Sequence, residues 1–221
     1  MRGPLPPLPQ HQPSSPPHEE WANALIHGVG IVASLAGGAV LITLAAVFGD
    51  ARRVVGAAVF VTTLVLLYTA STLYHAVPHE RHKSRLKVLD HCAIFLLIAG
   101  TYTPFTLVAL RGSWGWALFG LIWTLAVTGI VFKLFYTGRF RRASTAIYVA
   151  MGWLVIVAVG PLSQALPAWT LAFLIAGGVA YSAGTPFYLN RRIPYAHAIW
   201  HLFVLGGSVL HFVAVYGQTV P

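Results

Sequence analysis

From Tyr195 to Gly217 the chain runs over twenty residues without an aspartate, glutamate, lysine or arginine. A bilayer core needs ~20 such residues in helical form. Within it the backbone must satisfy its own hydrogen bonds, which a helix does. Charged residues are only 9% of the 221 and hydrophobic ones 57%, whereas a soluble domain carries roughly 25% charged residues. The chain therefore belongs in a membrane. Six more apolar runs precede this one, giving expected spans at about 24–48, 53–77, 87–110, 114–136, 145–161, 168–189 and 195–217. The expected fold is an all-α bundle of seven transmembrane helices.

The charges set its orientation. With the N-terminus inside, cytoplasmic stretches hold Arg2, Arg81, Lys83, Arg85, Lys87, Lys133, Arg139, Arg141, Arg142, Arg191 and Arg192, while the other side holds Arg52, Arg53 and Arg111. Eleven against three is the positive-inside pattern, so the N-terminus is expected inside and the C-terminus outside. The net charge of +9 is thereby explained by topology, and no nucleic-acid partner is expected. Residues 1–18, with seven of the fourteen prolines before His18, are expected to form a disordered cytoplasmic tail, leaving 19–221 as the membrane domain. No signal peptide is evident. The single cysteine, Cys92, excludes an intrachain disulfide and suits core packing. Tryptophans 114, 116, 153 and 169 are expected near span ends, and the Gly37-Gly38, Gly177-Gly178 and Gly206-Gly207 pairs at close helix contacts.

Polar residues inside spans carry the chemistry. His197 and His201 are four apart on one helix face, ~6 Å along the axis, a spacing that brings two imidazoles to one metal ion. The alternative is two histidines at a helix end, hydrogen-bonded to water or carbonyls. His75 closes the second span, Asp90 opens the third and His27, with Asn23, opens the first. All arrive at the cytoplasmic leaflet, in a topology obtained from lysines and arginines alone. Three neutral imidazoles with a water as fourth ligand make the usual open catalytic zinc site, although copper, nickel or iron also accept nitrogen donors. Zinc brings the pKa of its water toward ~7.

Asp90 is the only carboxylate in an expected span, and burial there is costly without a partner. That partner is either Lys87 or Arg85, the helix N-terminus, or the polarised water, whose proton it would then take. Ser71, one turn before His75, can reach the water or Asp90. Asn23 and His27 are either supports around the ligands or polar residues of helix entry. His211, ten residues past His201 and ~15 Å along the helix, lies too deep to share the site. His91, ~100° around the helix from Asp90, suits a structural role, and His79 and His82 fall in polar loops.

These residues resemble a known family. Glu20-x-x-Asn23-x-x-x-His27-Gly28, Ser71-x-x-x-His75, Asp90 followed by Thr101-Tyr-Thr-Pro104, and His197-x-x-x-His201 with His211 are similar to the hemolysin III family. It is the bacterial branch of the progestin and adipoQ receptor family. The resemblance covers about residues 19–217. It implies seven helices and a zinc ion held by His75, His197 and His201, with Asp90 acting on the zinc-bound water and Ser71 beside it. Similarity of that family to alkaline ceramidases implies hydrolysis of a lipid or acyl amide, with membrane lipids as partners and a lipid or fatty acid as ligand. It also implies a multi-pass protein of the bacterial inner membrane. A membrane-homeostasis sensor with structural zinc is the alternative, and a pore-forming hemolysin the third; a pore needs polar residues along its length, and these spans are mostly apolar.

Overall fold

The computed structural model describes residues 16–190 and 192–219. The expected disordered tail lies almost wholly outside them. Helix α1 (Pro17–Phe48) starts on a proline, whose fixed φ suits the first helical position, and carries Glu19 and Glu20 in its first turn. Asp50 caps α2 (Ala51–Ala76) by accepting from the Arg53 amide (3.0 Å), which holds its carboxyl below the usual range. α3 (Glu80–Pro104) continues through a π-helical segment, Phe105–Ala109. α4 (Ser113–Tyr136) follows. The fifth span is composite: α5 (Arg141–Gly152), a 3-10 turn (Trp153–Ala158) and α6 (Val159–Ala165). α7 (Ala168–Leu189) and α8 (Ala196–Thr219) complete the chain.

Seven helical segments among the described residues are long and apolar enough to cross a bilayer, as expected. Three depart in length. α1 starts at Pro17 rather than near 24, and α3 at Glu80 rather than 87, because hydropathy ends a span at its polar turns while the helix continues through them. His82 is accordingly helical. The fifth span covers 141–165 instead of 145–161 and is broken in its middle. Tyr102 of α3 makes that break tolerable: its hydroxyl accepts from the Val155 amide (2.7 Å) and lies 2.9 Å from the carbonyls of Met151 and Gly152. Backbone groups freed in a membrane must find such partners.

α2 lies between α1 and α3, α8 between α7 and α1, and α5 touches both α3 and α7, so these helices form a ring with α4 packed outside on α3. α3 is the most enclosed span. Large side chains such as Trp21, Leu25, Val29 and Val32 of α1 are exposed, as a lipid-facing surface requires. Each pair makes at least one close approach: Gly38 meets Val61 and Gly37 meets Phe212, Gly177 meets His211, and Gly207 meets Tyr181. Trp114, Trp116 and Trp169 sit in the first turns of their helices, but Trp153 lies at the α5 break and donates to Ser182 Oγ (2.9 Å).

Candidate metal centre

Pro78 disfavours the helical conformation at Val77, so α2 stops there and leaves His75 in its last turn. Ser71 is one turn earlier; both are buried. α8 begins just after Tyr195, whose φ of 55° turns the chain sharply, and so places His197 and His201 on its first turns. One ligand-type nitrogen from each of His75, His197 and His201 lies within 4.8 Å of the other two. Ring centroids are 5.0 Å apart for His75 and His197, 5.0 Å for His75 and His201, and 4.5 Å for His197 and His201. Three histidines from two helices are thus close enough to bind one metal ion.

Their hydrogen bonds assign the nitrogens. His75 Nδ1 is 2.9 Å from Glu20 Oε2 and 3.4 Å from Asn23 Nδ2. One ring nitrogen cannot both donate and accept, and the nearer, charged acceptor wins, so His75 Nδ1–H donates to Glu20. His201 Nδ1 donates to the Asn23 carbonyl (3.3 Å). Both rings thereby leave Nε2 with its lone pair, as metal-ligating histidines do. His27 stacks on His201 with centroids 3.6 Å apart, and its edge contact is Tyr68.

Several buried atoms here have no hydrogen-bond partner among the described residues: His75 Nε2, Asn23 Oδ1, both His27 nitrogens and Ser71 Oγ. Each such group costs about 1–3 kcal/mol. Their concentration around three imidazoles suits a cation with its water, and the donor set fits. Asn23 and His27, expected either as supports around the ligands or as residues of helix entry, are buried beside the cluster. Asp90 stands beside it without joining the group of mutually close ligand atoms. Its Oδ2 is 3.4 Å from His91 Nδ1, which donates to the Lys87 carbonyl (2.8 Å). His91 therefore bends back to its neighbour despite the angular offset, with Nε2 3.4 Å from the Tyr188 hydroxyl.

A cavity opens from this cluster into the bundle. His27, Asp90, His197 and His201 line it together with Leu110, Leu118, Leu162 and His211, while His75 stands behind the lining. His197 and His211 are separated by fourteen residues, ~21 Å of helix. The wall is overwhelmingly apolar. His211 is apart from the cluster, as expected, and its Nε2 donates to the Leu174 carbonyl (3.0 Å).

In the sequence Glu20 stands out only as part of the family pattern. In the structure its carboxylate contacts both His75 and Lys83 (2.8 Å). A signal was present: an acid three and seven residues before Asn23 and His27 lies on their side of the helix.

Fold and site together define a seven-helix membrane protein with a buried histidine cluster opening on an apolar chamber. A family model described as "Haemolysin-III related" matches residues 16–212, and the chain belongs to that family. It is 48% identical to "Hemolysin-3" of Bacillus cereus over 203 residues, covering 92% of this chain and 93% of that one. It is 47% identical to a "Hemolysin-3 homolog" of Bacillus subtilis, with 92% and 96% covered. More distantly, the human "Monocyte to macrophage differentiation factor" is 28% identical, with 90% and 84% covered. No solved structure matches.

Proposed function

We propose that this protein is a zinc-dependent hydrolase of the bacterial inner membrane that cleaves a lipid or acyl amide. The observation that carries the reading is the cluster of three mutually close histidine nitrogens at an apolar cavity whose wall also contains Asp90. His75, His197 and His201 would hold zinc, which acts as a Lewis acid and lowers the pKa of water toward ~7. The cavity takes the fatty-acyl chain, a ligand supplied by the membrane itself, and excludes bulk water from it. Asp90 accepts the proton of the water that adds to the amide carbonyl carbon, then returns a proton to the nitrogen as the C–N bond breaks. Products are a fatty acid and an amine. Ser71 Oγ, buried one turn from His75 and without a partner among the described residues, would donate to that water. Asn23 and His27 support His201 from behind, through the Asn23 carbonyl and the stacked ring.

The basic residues orient this site toward the cytoplasm, with the N-terminus inside and the C-terminus outside. A reporter active only outside the cytoplasm should score positive when fused after Pro221 and negative after Lys83. Reversed results would overturn the orientation.

The direct test is fatty-acid release from a long-chain amide such as a ceramide, in detergent, with equal zinc in parent and Asp90→Asn. Loss of a general base costs roughly 10²–10⁴-fold, while loss of a metal's outer partner weakens affinity only ~10–100-fold. Asp90→Asn should therefore keep zinc at saturation and lose release by at least ~10²-fold. No release by the zinc-loaded parent over a broad lipid panel would favour the sensor reading instead.

A further inference from the structure

The first turn of α1 reaches three other helices. Glu19 Oε1 accepts from the Tyr195 amide (3.1 Å) at the entrance to α8. Glu20 Oε2 accepts from His75 Nδ1 of α2 (2.9 Å) and from Lys83 Nζ of α3 (2.8 Å). Both partners of the second ion pair are largely enclosed, with side-chain exposures of 14% for Lys83 and 13% for Glu20. We propose that Glu20 is the positioning carboxylate of the metal centre, holding His75 with Nε2 toward the ion, and that Lys83 pins Glu20 in that role. The proposal rests on the metal reading of the three histidines.

An imidazole ligand has two nitrogens, and a metal takes the one that carries the lone pair. Which one that is depends on the hydrogen bond made by the other. With Nδ1–H given to a carboxylate, His75 is fixed as the Nε2 ligand, its ring rotation is stopped, and its lone pair is made more basic. His75 Nε2 is itself a buried atom with no hydrogen-bond partner among the described residues. The carboxylate in turn needs a reason to stay charged and in place at the edge of a membrane. The Lys83 ammonium supplies both, and its position over the Tyr74 ring (5.4 Å) fixes it from the other side. His201 has only a backbone carbonyl, Asn23 O, in the same role. Of the two, His75 therefore has the charged support.

A purely structural role, tying α1 to α3, would leave metal binding unaltered. The two are separated by measuring zinc affinity of metal-free full-length protein in detergent, by competition with a chromophoric chelator, alongside metal-free melting temperature. Glu20→Gln should weaken zinc ~10–100-fold and change the visible spectrum of cobalt(II) at the site. Its metal-free melting temperature should shift no more than that of Glu19→Gln, whose zinc affinity should match the parent. Lys83→Met should weaken zinc in the same direction by a smaller factor, and it serves alone if Glu20→Gln fails to fold. Parent affinity and parent cobalt spectrum in Glu20→Gln, or in Lys83→Met where only that variant folds, would overturn the positioning role, provided His75→Ala has lost zinc. If His75→Ala and His197→Ala both bind like the parent, the metal reading fails and the proposal with it.

Discussion

Ser208 and His201 are seven residues apart on α8 and both are buried, but different things complete them. At Ser208, the Tyr68 hydroxyl donates to Oγ (2.7 Å) and the Tyr181 hydroxyl meets the same oxygen (2.7 Å), joining α2, α7 and α8 in one hydroxyl cluster. Every oxygen there finds a partner in the chain. Around His201 and His75, Asn23 Oδ1, both His27 nitrogens, Ser71 Oγ and His75 Nε2 are equally buried and find none among the described residues. Buried polar groups are nearly always satisfied in native proteins. On the proposed function, the cluster left open within two helical turns of the closed one is the place where a ligand completes the hydrogen bonding. The hydroxyl cluster is a lock between helices, and the histidine cluster is, on the proposed function, a receptor.

The largest effect that can break this contrast is on metal content. His201→Ala should abolish stoichiometric zinc, because two remaining imidazoles leave too few protein ligands for a tight site. Ser208→Ala and His211→Ala should retain about one zinc per chain by elemental analysis. Metal retained by His201→Ala, or lost from His211→Ala, would mean that the open atoms near His201 are not the receptor.

How much of this contrast is legible without coordinates differs between its halves. The number of spans follows from long uncharged runs, and the His197–His201 pair from helical periodicity. The orphaned atoms and the tautomers do not, since they depend on the meeting of α1 with α2 and α8. Glu20 is not legible as a site residue because hydropathy marks the first span only from about residue 24, beyond a polar first turn that is helical in the structure. Lys83 was placed in a loop for the same reason. The break in the fifth span was illegible for another: the group that stabilises it, the Tyr102 hydroxyl, comes from fifty residues away. Tyr68, Ser208 and Tyr181 lie in apolar runs, and nothing local reveals that their hydroxyls converge.

A middle-sized effect concerns stability. A metal bound across His75 and His201 ties α2 to α8, and binding to the folded state alone adds about 2.7 kcal/mol at 100 times the dissociation constant. Chelation should therefore lower the melting temperature of the parent and of Ser208→Ala by similar amounts, and leave His201→Ala unmoved. Equal shifts in all three would make the ion incidental to the histidine cluster.

The smallest effect tests the lock. Tyr68→Phe removes one hydroxyl and keeps the ring, which packs against His27 and against the face of α1 at Gly30; a Cβ on that glycine would lie 2.6 Å from the ring. Ring packing is then unchanged, and the loss is one hydrogen bond to Ser208 Oγ, worth about 0.5–1.5 kcal/mol net. Ser208 keeps the Tyr181 hydroxyl as a partner, so no oxygen is orphaned and the cost should fall at the low end of that range. Zinc affinity should remain the parent's, since the lost bond touches no open atom of the histidine cluster. The measurement is the denaturation midpoint in mixed micelles for metal-free and zinc-loaded protein. A small and equal loss in both forms is the mark of a lock independent of the receptor. A loss confined to the zinc-loaded form would show that the two clusters are coupled through the His27–Tyr68 contact, and the division between them would have to be redrawn along that edge.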